Sequence, residues 1–289
     1  MPQGLKDIRR RIRTVQSIGK ITSAMKLVAG SRLRRAEERA KNARPYADAL
    51  RDVLAAVAAE SGSHTERLPL LARREVARTG IVVVAADRGL CGAYNTNVLR
   101  RMEQARAQGQ GDPLVVALGR RARDYCERRR IPLLGSFAPI GEEPSDVEAR
   151  AAAQLAAEAF VAGRVDEVFL VSTHFAGAFS SRPTVVRLLP LAEPEAAPSV
   201  DRGRHPYEFE PDPETVLSRL LPAYLNSLVY TALLESKAAE QAERMMAMDN
   251  ATRNAKDLVR NYTLTLNRLR QAAITSEIAE VVGGAAAVQ

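Results

Sequence analysis

His64, His174 and His205 are the only histidines in 289 residues, and they are scattered. A zinc-type centre needs ligands at short spacing, and no Cys or carboxylate stands so placed beside them, so no metal site is predicted. Ser172, Thr173 and His174 end an apolar stretch, "DEVFLVSTHF". A nucleophile would need a base and a third group to orient that base. No nucleophile elbow or triad context surrounds the run, which reads as an ordinary strand terminus. "DRGLCGAYN", Asp87 to Asn95, follows a predicted strand and precedes a helical pattern, the place of a phosphate loop. It lacks the G-x-G-x-x-G spacing and the Gly-Lys-Ser/Thr ending that brings a cation and a hydroxyl to phosphate, so Gly89 and Gly92 are expected to make a tight turn instead. Cys91 and Cys126 have no metal spacing and are expected to be reduced thiols. The sequence therefore predicts no catalytic residue, no cofactor and no metal.

The elements around these residues suggest reach more than chemistry. From Leu5 onward, apolar residues recur at Ile8, Ile12, Val15, Ile18, Ile21, Met25 and Val28, the three-and-four spacing of a coiled-coil seam with a slip after Val15. Gly19 and Gly30 lie inside it, predicting close approach of another backbone or a locally soft helix, and Pro45 predicts a kink or a division. Residues 1–57 are expected to form this helix. Residues 78–191 alternate short β-branched runs, such as "TGIVVVAA" and "DPLVVALG", with helical patterns, predicting an α/β domain on a largely parallel sheet. Residues 192–213, rich in Pro and charge, read as a loop. Residues 214–289 read as a second long helix, without Gly or Pro from Ala223 to Val282. Its narrow stripe passes Tyr224, Leu228 and Ala232, then Leu258, Tyr262, Leu266, Leu269 and Ala273, while Met245, Met246 and Met248 lie among small residues suited to helix pairing. The economical arrangement winds the two ends on each other, antiparallel, with the α/β domain inserted between them.

Charge sharpens this picture. Met1 to Arg51 holds 14 Lys or Arg against four acids, so this segment exceeds the whole chain's net +8 and the remainder is slightly acidic. Such a segment can meet nucleic acid, an anionic membrane or an acidic protein. No apolar run approaches the roughly 18 residues of a membrane span. The first residues lack a signal-peptide apolar block, and a mature cytoplasmic chain is expected. "RQAAITSEIAEVVGGAAAV", in contrast, fades into small uncharged residues at the C-terminus.

"SAMKLVAGSRLRRAEERAKNARPYADAL", "DRGLCGAYNTNV", "ESKAAEQAERMMAMDNATRNAKDL" and that C-terminal stretch, in this order, resemble the gamma subunits of F-type ATP synthases. The resemblance implies an antiparallel coiled coil of N- and C-terminal helices carrying an inserted Rossmann-like α/β domain. It implies a non-catalytic rotor shaft that couples ion flow through a membrane c-ring to ATP synthesis or hydrolysis at beta-subunit sites, regulating ATPase activity and proton flow. The implied partners are alpha, beta and epsilon subunits and the c-ring, without nucleic acid, at the cytoplasmic face of the bacterial inner membrane as a peripheral protein. Rotor–stator contacts carry over to Met25, Arg270, Gln271, Thr275 and Glu277, and a foot contact with the c-ring or epsilon to Tyr207 and Glu210. A chloroplast-type dithiol switch is not implied, because Cys91 and Cys126 do not form the inserted pair. A nucleic-acid-binding coiled coil and a small nucleotide-dependent enzyme are the rival classes, and neither explains both ends of the chain.

Overall fold

The computed structural model describes residues 3–61, 68–177, 180–192, 210 and 212–286. Ten elements follow in order: α1 (Gln3–Ser61), β1 (Thr79–Val84), α2 (Tyr94–Gln108), β2 (Leu114–Leu118), α3 (Arg120–Arg129), β3 (Leu133–Phe137), α4 (Asp146–Val161), β4 (Glu167–Phe175), β5 (Ser181–Leu189) and α5 (Pro213–Ala286). The chain divides into two compact units, Met1–Ala29 with Arg244–Gln289, and Gly30–Glu243. The divisions fall inside α1 and α5, so each long helix contributes to both units.

The second unit is built on a five-stranded sheet of order β3-β2-β1-β4-β5. β1 pairs in parallel with β2 and β4, β2 in parallel with β3, and only β5 is antiparallel, to β4. β1 is buried along its whole length, which is why "TGIVVV" carries no polar alternation. Val82, Val84, Val116, Leu118 and Leu170 join one apolar cluster with α4, with residues 50–57 of α1 and with residues 217–233 of α5. Phe160 of α4 is 1% exposed there, a burial that contributes about 2–3 kcal/mol. Ile81, Val83, Val115 and Ala117 alternate to the opposite face. That face is covered by Val98, Met102 and Ala105 of α2 and by Ala122 and Cys126 of α3. β3 is absent from the sequence expectation: "LLGSF" is a half-buried edge strand whose apolar run stops at Gly135. β3 packs closely on α4 at Gly135, where a Cβ would come within 2.6 Å of Leu155 Cδ2 and the leucine tip would have to shift.

In the first unit α1 and α5 pair side by side. Thr22 Oγ1 lies 2.8 Å from Thr252 Oγ1, Lys26 Nζ is 2.7 Å from Asp249 Oδ1, and a Cβ on Gly19 would lie 3.4 Å from Ala255 Cβ. Numbers rise on one helix as they fall on the other, so the pair is antiparallel, as predicted. Lys26, with Arg253 2.8 Å from the same carboxylate, holds Asp249 below the ordinary carboxylate range.

The seam itself differs from the expectation. Ile18, Ile21 and Val28 are 48%, 59% and 50% exposed, whereas Gly19, Thr22 and Lys26 are half-buried and Ala29 is buried. There is no slip after Val15: the three-and-four spacing runs on through 19, 22, 26 and 29. Small residues hold the seam there and let the helices approach closely, so a search for large aliphatics follows the wrong stripe. Leu258 is likewise exposed, and its neighbour Val259 takes the inner position. α1 is not divided at Pro45. The missing backbone bond costs about 3 kcal/mol, offset by burial of Leu50, Leu54 and Val57 one to three turns later.

Candidate functional site

In an open sheet of this order, the crevice at the carboxyl ends of β1 and β4, where the chain switches direction, is the usual ligand site. Asp87 to Ala93 leave β1 there. The Asp87 carboxylate is fully used by backbone: Oδ1 accepts from the Arg120 amide at 3.0 Å, and Oδ2 from the Ile140 and Gly141 amides at 3.0 and 3.2 Å. Asn95 Oδ1 accepts from the Ala86 amide at 3.0 Å, while its Nδ2 donates to the Arg88 carbonyl and to Cys91 Sγ. Gly92 sits at φ +55°, and a Cβ on Gly89 would press on Arg121 Nη2 at 3.0 Å. The loop is thus the tight turn predicted, clamped by its own side chains. Asp87→Ala should lower stability by about 2–4 kcal/mol, because three amides lose a charged acceptor. A fall in the urea midpoint at unchanged m value would show it, and an unmoved midpoint would refute it.

The crevice is filled by α5. Ser236, fully buried, accepts from the Thr173 amide at 3.0 Å, and Glu235 Oε2 lies 2.6 Å from His174 Nδ1 while Arg44 reaches its other oxygen at 3.2 Å. Lys237 and Glu240, both buried, pair at 3.1 Å. Beside Tyr94 and Asp87 only about 10 Å³ remains, room for no more than one water. A nucleotide does not fit. Burial drives the Tyr94 hydroxyl strongly upward and the Cys126 thiol up to about 11, so neither is poised for proton transfer or attack near neutrality. Ser172 to His174 are the end of β4, tied to α5. Among the described residues no group of three or more His, Cys, Asp or Glu could hold a metal ion, and no helix is long and apolar enough to cross a membrane.

The first unit presents a different kind of surface. Ten of the fifteen exposed large apolar side chains found among the described residues lie on it, including Leu27 at 72% and Ile278 at 58%. A groove of about 780 Å³ runs between Val15, Gly19, Ala24 and Leu27 of α1 and Ala255 and Val259 of α5. Apolar exposure on this scale marks a face made for protein. Met25 is half-buried on α1; Arg270, Gln271 and Thr275 are exposed on α5, with Thr275 Oγ1 donating to the Gln271 carbonyl at 2.9 Å. Glu277 lies within α5, and Glu210 is exposed ahead of that helix. Tyr207 lies outside the described residues. The register puts Met25 near Asp249, some twenty residues and so about 30 Å along the helix from Arg270. The structure thus sets these residues in two stations. The exposed Ile18, Ile21 and Val28 stripe, which sequence reasoning assigned to the seam, belongs to the same unit; an uninterrupted spacing through Gly19 is the signal that separates the two stripes.

The ATP synthase family description matches residues 4–288. The ATP synthase gamma chain of Desulforamulus reducens is 46% identical over 287 residues, covering 98% of this chain and 99% of the relative. That of Moorella thermoacetica is 46% identical over 286 residues, 99% of both chains. The chain belongs to the ATP synthase gamma chain family. Among solved structures, the central stalk and c-ring of the Tetrahymena thermophila mitochondrial ATP synthase contains a chain 27% identical, with TM-score 0.59 over 80% of this chain and 99% of that one. A chain of the Euglena gracilis enzyme, 18% identical, shares the fold with TM-score 0.70 over 100% of this chain and 95% of that one. Gamma chains are non-catalytic subunits of the synthase, and the filled crevice accords with membership of that family.

Proposed function

We propose that this chain is the central rotor shaft of an F-type ATP synthase, at the cytoplasmic face of a bacterial inner membrane. Residues 1–57 and 214–289 form the shaft, 78–191 the foot and 192–213 the connecting loop. The shaft turns within alpha and beta subunits, and the foot rides on the c-ring with epsilon, near Tyr207 and Glu210. Ion flow turns the ring, and the asymmetric shaft takes each beta site in turn through substrate binding and product release, or hydrolysis drives the reverse; regulation of ATPase activity and proton flow acts through the same coupling. The carrying observation is the unit of α1 and α5 ends: a seam closed by Gly19, Thr22 and Ala255, with large apolar side chains turned outward. Close helices make a thin axle, and outward Ile and Leu make a surface that slides, because dispersion contacts vary little with angle whereas a buried unpaired charge would pin one angle by several kcal/mol.

Mixing the chain with alpha and beta subunits, fixing the ring to a surface and attaching a bead to the foot tests this: one-way stepping under ATP is expected, and hydrolysis with a still bead would overturn it. Met25 and the basic face of α1 meet the acidic lever region of beta in this reading. Met25→Lys should therefore lower the protons pumped per ATP more than it lowers assembly, by adding a cation that favours one angle. Normal pumping per ATP in vesicles carrying the variant would refute that role.

A further inference from the structure

The seam of the first unit holds two kinds of contact. Gly19 meets Ala255, and Ala29 is buried further along α1. Small side chains let the backbones approach, but they interdigitate little and slide past one another at small loss of dispersion energy. The polar contacts are directional, since a hydrogen bond weakens steeply when its geometry is disturbed. Thr22 Oγ1 lies 2.8 Å from Thr252 Oγ1, yet each hydroxyl also has a carbonyl on its own helix, that of Gly19 at 3.1 Å and of Met248 at 2.8 Å. Two hydroxyl hydrogens serve three contacts, so this pair can part and remain hydrogen-bonded. Lys26 has no such retreat. α1 carries no acid between Asp7 and Glu37, and the carboxylate 2.7 Å from the Lys26 ammonium is that of Asp249, across the seam. Arg253, one turn along α5, takes the other oxygen at 2.8 Å, which aims Oδ1 at Lys26. Lys26 foremost, with Arg253, holds this carboxyl below the ordinary range, so it stays charged near neutrality. Half-buried Met25 precedes Lys26 directly in the chain.

We infer that Asp249 is a positioning residue that couples α1 to α5 under load: force applied to α1 at Met25 crosses the seam through the Lys26 ammonium. The inference rests on the rotor reading, which makes Met25 a contact with beta. A push on α1 shears the two helices past each other where small side chains resist least, and the ion pair is the contact at that level which shear must break. Its side chains are 43% and 32% exposed, and an ion pair so placed adds little to folding stability. Load-bearing and stability can therefore be told apart. The competing assignment gives Lys26 to an acid of beta and leaves Asp249 to Arg253 alone.

The test uses the chain assembled with alpha and beta, a bead on the foot and saturating ATP, with beads of low and high drag setting the load. D249N and K26M should each turn a high-drag bead about twofold more slowly than the wild type. For D249N the low-drag speed and the hydrolysis rate should be unchanged, and the thermal midpoint of the chain should move by about 2 °C or less. K26M/D249N should lose no more than either single variant, because each removes the same contact. D249E, which keeps the charge, should turn the high-drag bead at nearly the wild-type speed. Normal high-drag rotation in D249N would overturn the inference. Equal slowing at both loads would do so by assigning Asp249 to folding or hydrolysis, and additive losses in the double variant would do so by assigning Lys26 to an acid of beta. If the wild-type chain turns and the variants match it at both loads, this inference fails while the rotor reading stands; if hydrolysis proceeds with the wild-type bead still, the rotor reading fails and this inference with it.

Discussion

Gly119→Ala should destabilise the second unit by about 3 kcal/mol or more, combining backbone strain with a steric clash. Gly119 links β2 to α3 at φ +93°, and its amide donates to the Phe137 carbonyl at 2.9 Å. A Cβ there would stand 2.1 Å from the Ala85 carbonyl oxygen, which is backbone of the segment following β1 and has no room to retreat. Gly163 is the control: it too has positive φ, +68°, but its nearest neighbour would be Arg74 Nη1 at 3.8 Å. Gly163→Ala isolates the conformational cost, about 1 kcal/mol. Urea unfolding of both variants separates the effects, and equal midpoints would show that the clash at Gly119 is relieved in some way the geometry does not reveal.

Cutting the chain after Arg270 should abolish most of the torque, whereas removing only the last few residues should lower it mildly. The shorter chain loses Gln271, Thr275 and Glu277 and also Ala273, the half-buried residue continuing the α5 stripe. By the antiparallel register Leu5, 6% exposed, lies opposite about residue 269, which the cut retains, so the loss falls chiefly on the outer face. Single-molecule torque on assembled rings measures both truncations. Equal losses would count against a smooth bearing at the tip, and against separate roles for residues 271–277 and the final small residues.

The sequence made the long helices and the buried parallel strands legible because each obeys one period: three-and-four spacing in α1, unbroken β-branched runs in β1 and β2. It hid β3, whose two leucines and Phe137 are interrupted by Gly135 and Ser136 at a sheet edge, too short a run to show any period. It misplaced part of the coil seam because glycine and threonine give no hydrophobic signal, although they sit where helix contact is closest. The loop at Asp87 was recognised as a turn, but what it turns against could not be read. Asp87 meets amides 33 to 54 residues away, and Ser236 meets a strand 63 residues earlier, contacts that only the folded chain creates. Met25, Arg270, Gln271, Thr275 and Glu277 were named by family likeness, and the exposure of Arg270, Gln271 and Thr275 is a property of the helix that no local pattern among them encodes.

The stretch of α5 from Glu235 to Glu240 has a consequence for how the sheet domain responds to its surroundings. A Rossmann-like crevice that takes a diffusible ligand has two states, loaded and empty, and its occupancy reports a concentration. Here the occupant is covalently part of the chain, so its effective concentration is set by connectivity and does not vary with the cell's nucleotide pool. Ser236, Lys237 and Glu240 occupy it through contacts made within the chain itself. The domain consequently has no vacant form to soften or signal, and a fold known for sensing small molecules is left with the constant stiffness of a machine part.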